Sequence, residues 1–351
     1  MYLLIKNYKY INLLYMLILI SGFIIINFLV FFFISKVSYI LKITDKPNSR
    51  SVHLVPIANT GGLAIGITYI ISIYMFEINS EQLNTITSIS ILIAIVGFID
   101  DKYNLNIGGK LSLQLIPIIY LIFIKNLFLF HLGDYDFFKI ELNSFSIPFT
   151  LMSVIFLINA INYFDGLDGT LSSTFTSTLS ILYFLVLDDN IKLYLILLFI
   201  PIAIFTLFNF SIFNLPKMFI GDSGSLLLGF IISFLLIYLS NESLIHPILI
   251  AWSISVFVYE FLSVNILRLK NKKGIFIAGQ DHLHHIIFNK TKSIFLTNFY
   301  ISILNISFFI MGYISFLKYG SFISLILFIF IFFCFLILRN KYSKDKIKIK
   351  L

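Results

Sequence analysis

The sequence has 351 residues, of which 59% are hydrophobic and only 12% are charged. Soluble domains carry about 25% charged residues, so this composition excludes an ordinary soluble protein and indicates a polytopic membrane protein. The net charge of +8 is the usual result of the positive-inside rule, so no nucleic-acid partner is expected. The single cysteine, Cys334, excludes an intrachain disulfide.

Eleven apolar segments predict an all-α integral membrane protein, with a single polytopic domain over residues 1–351. The residue alternation of a membrane β-barrel is absent. The first segment is too long for the core of a signal peptide, and we interpret it as a retained span. In chain order, the predicted spans are 11–34, 61–76, 83–99, 111–130, 147–162, 171–187, 192–208, 225–239, 246–268, 295–316 and 321–338.

The distribution of lysine and arginine predicts the orientation of the chain. With eleven spans, the two termini lie on opposite sides of the membrane. The side that includes the C-terminus holds 19 of the 25 basic residues. Because such an excess marks the cytoplasm, we expect the N-terminus outside and the C-terminus inside. Lys6 and Lys9 argue weakly for the opposite orientation.

The polar residues able to do chemistry are concentrated in the predicted cytoplasmic loops. Simple solvated connectors would be distributed on both sides. The one-sided concentration therefore predicts an active site on the cytoplasmic face. The loops expected to form it are about 35–60, 100–110, 159–170, 209–225 and 268–294.

The loop NAINYFDGLDGT, residues 159–170, places Asn162, Asp165 and Asp168 between two apolar segments. Carboxylates at a membrane face are costly unless they hold a cation or meet a partner. The two aspartates are three residues apart, so a helical turn would put them on one face. The alternative is a short polar loop whose carboxylates are solvated.

Two further acidic motifs lie at the ends of predicted spans. In GFIDDKYNLNIGGK, Asp100 and Asp101 end the third span, and Lys110 is placed to fold back over them. In FIGDSGS, Asp222 precedes a span, where backbone N–H groups and the helix dipole favour anions such as phosphate. An aspartate beside phosphate is the usual arrangement for Mg²⁺. The alternatives are a charged helix end that stops translocation and a simple helix N-cap.

A histidine cluster lies in the last large loop. AGQDHLHHII contributes His282, His284 and His285, downstream of Arg268. This cluster favours phosphate binding over zinc, because no cysteine is nearby and several basic residues lie just upstream. Glu260, in the ninth span, is interpreted as the structural partner of a basic group.

The first large loop contains the motif DKPNSRSVH, with Asn48, Arg50 and His53 beside a turn restricted by proline. These residues are candidates for substrate contacts. The alternative is an ordinary basic loop that meets anionic lipid.

Together these motifs resemble those of the polyprenyl-phosphate N-acetylhexosamine-1-phosphate transferases, the bacterial glycosyltransferase family 4 that includes undecaprenyl-phosphate GlcNAc-1-phosphate transferases. The matching motifs are DKPNSRSVH, the glycine pair at 61–62, DDKYNL with Lys110, NAINYFDGLDG, FIGDSGS and HLHH. The resemblance implies a multi-pass enzyme of the bacterial inner membrane. Such an enzyme transfers an N-acetylhexosamine 1-phosphate from a UDP-N-acetylhexosamine to undecaprenyl phosphate and releases UMP. Its product would initiate a cell-envelope glycan such as O antigen or teichoic acid.

The resemblance also implies roles for individual residues. Asp100 and Asp101 would form the catalytic acidic pair, and Asp222 and Asn162 would hold Mg²⁺, for which Mn²⁺ is a substitute. Asp168 would lie near the uracil. A homodimer is compatible with the family. The remaining residues expected to contact substrate are Lys110, Asp165, Asn48, Arg50, His53, Arg268, His282, His284 and His285.

The sequence departs from the family at residues 57–62, where a basic residue common in relatives is missing. A transporter or lipid flippase with a cytoplasmic anion site is the alternative class. Such proteins place ionisable groups near the bilayer midplane and often show repeated halves, and neither feature is visible in this sequence. Within the family, the HLHH pattern disfavours a phospho-N-acetylmuramoyl-pentapeptide transferase, and the sequence does not identify the sugar.

Overall fold

The computed structural model describes residues 2–45, 47, 55–272, 274, 279 and 281–348, with side chains between residues 14 and 341 of these ranges. The described chain is mainly α-helical, as the apolar segments predict. Its α-helices are α1 (Tyr2–Ile40), α2 (Gly61–Met75), α3 (Glu81–Tyr103), α4 (Ile107–Ile119), α5 (Ser146–Asn162), α6 (Thr170–Leu185), α7 (Asp189–Asn209), α8 (Gly221–Asn241), α9 (Pro247–Ser253), α10 (Ser255–Lys270), α11 (Leu283–Thr291) and α12 (Ile294–Lys348).

Short elements connect the helices, and one of them ties the first polar loop to the start of α8. Ala58, in that loop, forms a parallel bridge with Met218. A β-hairpin between α4 and α5 contains a bulge between His131 and Gly133, and sequence analysis did not predict this hairpin. The short elements are two antiparallel pairs, β1 (Thr44–Asp45) with β2 (Ile57–Ala58) and β3 (His131–Tyr135) with β4 (Phe138–Glu141), a π-helical turn at Tyr120–Ile124, and 3₁₀ turns at Asn143–Phe145 and Ile212–Asn214.

Each of the eleven predicted spans coincides with helical structure. Within the described residues, seven helices are long and apolar enough to cross a membrane, and the bent pair α9–α10 makes an eighth if it is one span. Two of the predicted spans are shorter helices, because α2 has 15 residues and α6 has 16. The structure is therefore that of an all-α membrane protein, while eleven crossings and their orientation stay predictions.

Helix α12 contains a break at Gly320 that divides it into the two predicted spans. Gly320 has φ 86° and ψ 175°, a conformation that only glycine adopts easily. The Ser324 hydroxyl donates to the Gly312 carbonyl at 3.0 Å. Residues twelve apart in a continuous helix would be about 18 Å apart along its axis, so the chain reverses direction at Gly320.

Helix α8 lies at the centre of the bundle and is buried against α2, α3 and α5. Close backbone approach explains its glycine contacts. A Cβ atom at Gly62 of α2 would be 2.0 Å from the Gly224 nitrogen, and one at Gly229 would be 2.7 Å from the Ile158 Cα atom. Small residues allow this approach, which matters in a bilayer because packing is a main source of helix association there. This packing determines the position of the first turn of α8.

A bend of 73° separates α9 from α10. It releases the Ser253 carbonyl from the regular helical pattern. Thr178 donates to that carbonyl at 3.1 Å, and Asn305 donates to it at 3.2 Å. Side chains from neighbouring helices thus satisfy a backbone group that lipid could not, which makes the bend tolerable inside the bundle.

Candidate active site

The ends of four helices bring the predicted acidic motifs together around Asp222. Lys110, in the first turn of α4, donates to Asp222 Oδ2 at 2.5 Å and lies 2.8 Å from Asp100 Oδ2. Lys110 therefore folds back over Asp100, the first of the two adjacent aspartates, as the sequence predicts. Asn162, the last residue of α5, donates through Nδ2 to Asp222 Oδ1 at 2.8 Å and to Ser225 Oγ at 2.7 Å.

Asp222 is not the N-cap of α8. The cap position is Ile220, which makes no side-chain capping bond, and Asp222 lies within the first turn. Its carboxylate is consequently directed to Lys110 and Asn162. The interpretation of Asp222 as a simple helix cap is therefore wrong.

Asp101 supplies the missing cap from the end of α3. Its two carboxylate oxygens accept hydrogen bonds from the backbone N–H groups of Asp222 at 3.0 Å and Ser223 at 3.2 Å. A helix N-terminus leaves such donors unpaired, and a carboxylate placed there is stabilised by the helix dipole. Gly221 allows this approach, because its φ is 67° and a Cβ atom there would be 2.6 Å from Asp101 Oδ2. Asp101 therefore holds the backbone that carries Asp222.

Asp100 is held by different contacts. Its Oδ1 accepts the backbone N–H of Leu105 at 2.8 Å, and its Oδ2 contacts Lys110. The side chain is largely buried. The two adjacent aspartates, which the sequence treats as one acidic pair, therefore have separate surroundings.

The loop after α5 forms turns, so Asp165 and Asp168 do not share a helical face. Asp168 Oδ2 accepts a hydrogen bond from Lys217 Nζ at 2.6 Å. Asn298 donates to the Asp168 carbonyl at 2.8 Å, and the Gly169 N–H donates to an asparagine of α7 at 2.7 Å. These contacts hold Asp168 in place and give its carboxylate a basic partner that the Asp165 carboxylate lacks.

Sequence analysis did not select Lys217 as a site residue. The available signal was its position five residues before Asp222 in the same polar loop. Its partner lies 49 residues away in sequence, so only the folded chain identifies the pair.

The backbone N–H of Asp165 donates to the Asn162 carbonyl at 3.1 Å, but its carboxylate makes no hydrogen bond or ion pair with any residue that the structure describes. Its side chain is exposed to solvent on one side, but desolvation by the surrounding protein is the largest cause that raises its pKa to about 8. The negative charge of Asp222 is the next cause, and Asp101 and Asp168 add smaller contributions, which Lys110 only partly offsets. A bound cation would favour the charged form of Asp165 and so oppose both the desolvation and the repulsion.

Two acidic side chains, the buried Glu260 and the exposed Asp281, anchor the histidine cluster. Glu260 Oε1 accepts the backbone N–H of Leu283 at 3.0 Å and lies 3.3 Å from His282 Nδ1. Glu260 is therefore the partner of a histidine and of an arginine of α12, which confirms its interpretation as the structural partner of a basic group. Arg268 binds both oxygens of Asp281, at 3.0 and 2.7 Å. Burial alone would raise the pKa of Asp281, but the hydrogen bonds and charge of Arg268 lower it to about 2.

His284 connects this cluster to the acidic loop. It is only 1% exposed, and a Cβ atom at Gly166 would be 2.2 Å from its Nε2. That nitrogen has no hydrogen-bond partner among the described residues. Burial, followed by the neighbouring His285 and His282, lowers the pKa of His284 to about 3. His284 is therefore neutral near pH 7 and packs directly beneath the loop that carries Asp165.

The described residues contain no group of three or more His, Cys, Asp or Glu side chains that could hold a metal by themselves. A zinc site in the histidine cluster thus gains no support. Asn48, Arg50 and His53 lie outside the described residues. Next to them, Asn59 contributes to the site, because its side chain hydrogen-bonds to Asp101.

The fold and the site define the general class as a polytopic helical membrane protein with clustered acids, an amide and a lysine at helix ends. Residues 83–240 match the sequence model of the family described as Glycosyl transferase family 4. A Bacillus subtilis (strain 168) protein named probable undecaprenyl-phosphate N-acetylglucosaminyl 1-phosphate transferase is 30% identical over 258 residues, covering 72% of this chain and 71% of the relative. The chain belongs to glycosyl transferase family 4, and it is an enzyme.

Two enterobacterial relatives carry the name undecaprenyl-phosphate alpha-N-acetylglucosaminyl 1-phosphate transferase. The protein of Escherichia coli (strain K12) is 26% identical over 268 residues, covering 73% of this chain and 72% of its own length. That of Yersinia pestis is 26% identical over 264 residues, covering 72% and 71%. The similarity therefore extends well beyond the segment matched by the family model.

Proposed function

We propose that this protein transfers an N-acetylhexosamine 1-phosphate from a UDP-sugar to undecaprenyl phosphate, giving the lipid-diphospho-sugar and UMP. The observation that carries the proposal is the placement of Asp222, in the first turn of the central helix, in contact with both Lys110 and Asn162. This arrangement suits a diphosphate that must be charge-neutralised and oriented. The names of the relatives support the lipid acceptor and the sugar-phosphate chemistry.

The donor groups of the site fit Mg²⁺, and Mn²⁺ by the same chemistry. Both hydrogens of Asn162 Nδ2 are engaged, so its amide oxygen is the atom left for a cation. Asp222 and the unpaired Asp165 supply carboxylate oxygens. Mg²⁺ binds through one or two carboxylates together with substrate phosphates, so the absence of a larger ligand cluster in the described chain is compatible with it. When bound, the ion would neutralise negative charge on the diphosphate of the donor.

The chain's own residues act mainly by positioning. A phosphate monoester has a second pKa near ~6, so the attacking lipid phosphate is already largely dianionic at neutral pH. A strong general base is therefore not required, and phosphoryl transfer depends on alignment and charge neutralisation. Lys110 supplies positive charge beside Asp222. Asp100, held by Lys110 and Leu105, is assigned an orienting role, and Asp101 positions Asp222 through the backbone of α8.

An apolar cavity offers a place for the lipid chain. Its volume is 530 Å³, and it is lined by side chains of α5, α8 and α9, among them Phe149, Leu157, Leu236 and Ile250. Helices α5 and α8 also carry Asn162 and Asp222. A polyprenyl chain in this cavity would therefore lie along the helices that end at the phosphate site, within the inner membrane.

The proposal is tested with purified protein, UDP-[¹⁴C]GlcNAc, undecaprenyl phosphate and Mg²⁺. Labelled lipid and release of UMP are expected, whereas release of UDP would indicate ordinary glycosyl transfer. If the purified protein is reconstituted into vesicles and label enters them while no labelled lipid forms, the transporter alternative is indicated. Comparison with other UDP-N-acetylhexosamines and with UDP-N-acetylmuramoyl-pentapeptide identifies the sugar.

Asp222→Ala is expected to abolish turnover even at high Mg²⁺, because the carboxylate that holds the ion is gone. Asp189→Ala is the matched control, since Asp189 is an exposed aspartate in the first turn of α7. Near-normal activity of Asp222→Ala would overturn the assignment of Asp222.

A further inference from the structure

Arg339, near the end of α12, binds Glu260, which contacts the histidine cluster and lies 79 residues earlier in the sequence. Its guanidinium binds both oxygens of Glu260, with Nη2 donating to Oε1 at 3.0 Å and Nη1 donating to Oε2. Nη2 also donates to the Asp281 carbonyl at 2.5 Å. Arg339 is 5% exposed and Glu260 is 1% exposed, so this is a buried, bidentate ion pair.

Glu260 transmits this contact to the start of α11. The same carboxylate that binds Arg339 accepts the Leu283 N–H and contacts His282. A buried carboxylate is strongly unfavourable without a positive partner, so the cap on α11 depends on a cation. Arg339 supplies such a cation, because its guanidinium donates to both oxygens of Glu260.

The first turn of α11 is therefore held at two points by one arginine. Arg339 contacts Asp281 directly and holds Leu283 through Glu260. His284 follows immediately and packs against Gly166 of the acidic loop. A shift in the start of α11 would move the histidines relative to that loop.

We infer that Arg339 is a positioning residue that sets the histidine cluster against the acidic loop, where the UDP-sugar donor would bind. This inference rests on the proposed function for the identity of the donor. It assigns a role in the site to the last helix, which lies far in sequence from all of the catalytic motifs.

The variant Arg339→Met keeps the bulk of the side chain and removes its charge. We expect the KM for the UDP-sugar to rise about 10- to 100-fold, the loss typical of removing a group that orients a binding residue. The KM for undecaprenyl phosphate should be unchanged, because the apolar cavity and Lys110 are untouched. Lys341→Met is the matched control, since Lys341 is exposed two residues further along the same helix.

Two more variants separate positioning from simple anchoring of α12. Arg339→Lys keeps the charge but cannot bind Glu260 in the bidentate way, so its donor affinity should lie between those of Arg339→Met and the unaltered protein. The double variant Arg339→Met with Glu260→Gln removes the unpaired charge and keeps an acceptor for the Leu283 N–H. It should therefore have a lower donor KM than Arg339→Met alone. If Arg339 only anchors α12, the variants would lower the amount of folded protein and leave both KM values unchanged, and the inference would be overturned.

Hydrogen exchange gives a measure that does not depend on the reaction. In Arg339→Met the amides at the start of 281–291 should exchange faster than in the unaltered protein, and those of α8 should not. If the unaltered protein shows no sugar-phosphate transfer, the proposed function fails, while this measurement still tests the link from Arg339 to α11. Unchanged exchange at Leu283 would refute that link.

Discussion

Gly97 offers a direct test of whether the spacing between α3 and α8 controls the site. It lies one turn before the two adjacent aspartates and faces the backbone of α8 rather than side chains. A Cβ atom at Gly97 would be 2.4 Å from the carbonyl carbon and oxygen of Asp222 and 2.5 Å from the Ser223 Cα atom. Backbone atoms cannot rotate away from this contact, so Gly97→Ala must separate the two helices.

The required displacement follows from the contact distances. Ordinary van der Waals contact begins at 3.4 Å, so α8 must move by about 1 Å. The hydrogen bond from the Asp222 N–H to Asp101, now 3.0 Å, would then lengthen to about 4 Å and be lost. Overpacking of this kind costs about 1–3 kcal/mol of stability, and a 1 Å misplacement in an active site costs about 100-fold in rate.

We therefore expect Gly97→Ala to reduce kcat for UMP release by about 100-fold while the protein remains folded in detergent. Gly22→Ala is the control, because no atom lies within 4 Å of the position that its Cβ would occupy. Both substitutions add one methyl group to a membrane helix. If Gly97→Ala retains activity within about twofold of Gly22→Ala, the helix spacing does not control the site and our reasoning is refuted.

Two further predictions concern ionisable groups near the site. Lys217→Met removes the partner of Asp168. Because these side chains are 33% and 18% exposed, we expect the donor to lose only about 1 kcal/mol of binding free energy, which is about a fivefold rise in its KM. An unchanged KM would contradict a role for the pair in donor binding. For His284, burial lowers the folded pKa from 6.5 to about 3, so as the pH falls through 6.5 the unfolded chain binds the proton first. The stability contributed by neutral His284 is thus complete above about pH 6.5 and is lost toward pH 3. Thermal unfolding across this range should show a shallower pH dependence for His284→Asn, and identical curves would refute the neutral assignment.

The helical membrane class and the grouping of the polar motifs could be predicted from sequence because both depend on local patterns. Runs of apolar residues of bilayer length must form helices in lipid, where every backbone group needs an internal partner. The eleven predicted spans are helical for this reason, and even the break at Gly320 coincides with a predicted boundary. The return of Lys110 over Asp100 was also predictable, since a short loop separates them.

Only the tertiary structure decided which partner each of several similar acidic side chains takes. Asp100 and Asp101 are neighbours in sequence, yet Asp101 caps α8, whereas Asp100 pairs with Lys110. The partners of Asp168 and Glu260, Lys217 and Arg339, are 49 and 79 residues away. Such pairs depend on how the helices pack and where each one ends. A carboxylate pairs with a donor that lies close to it in space. The hydrophobic pattern that specifies a helix does not specify which other helices pack against it.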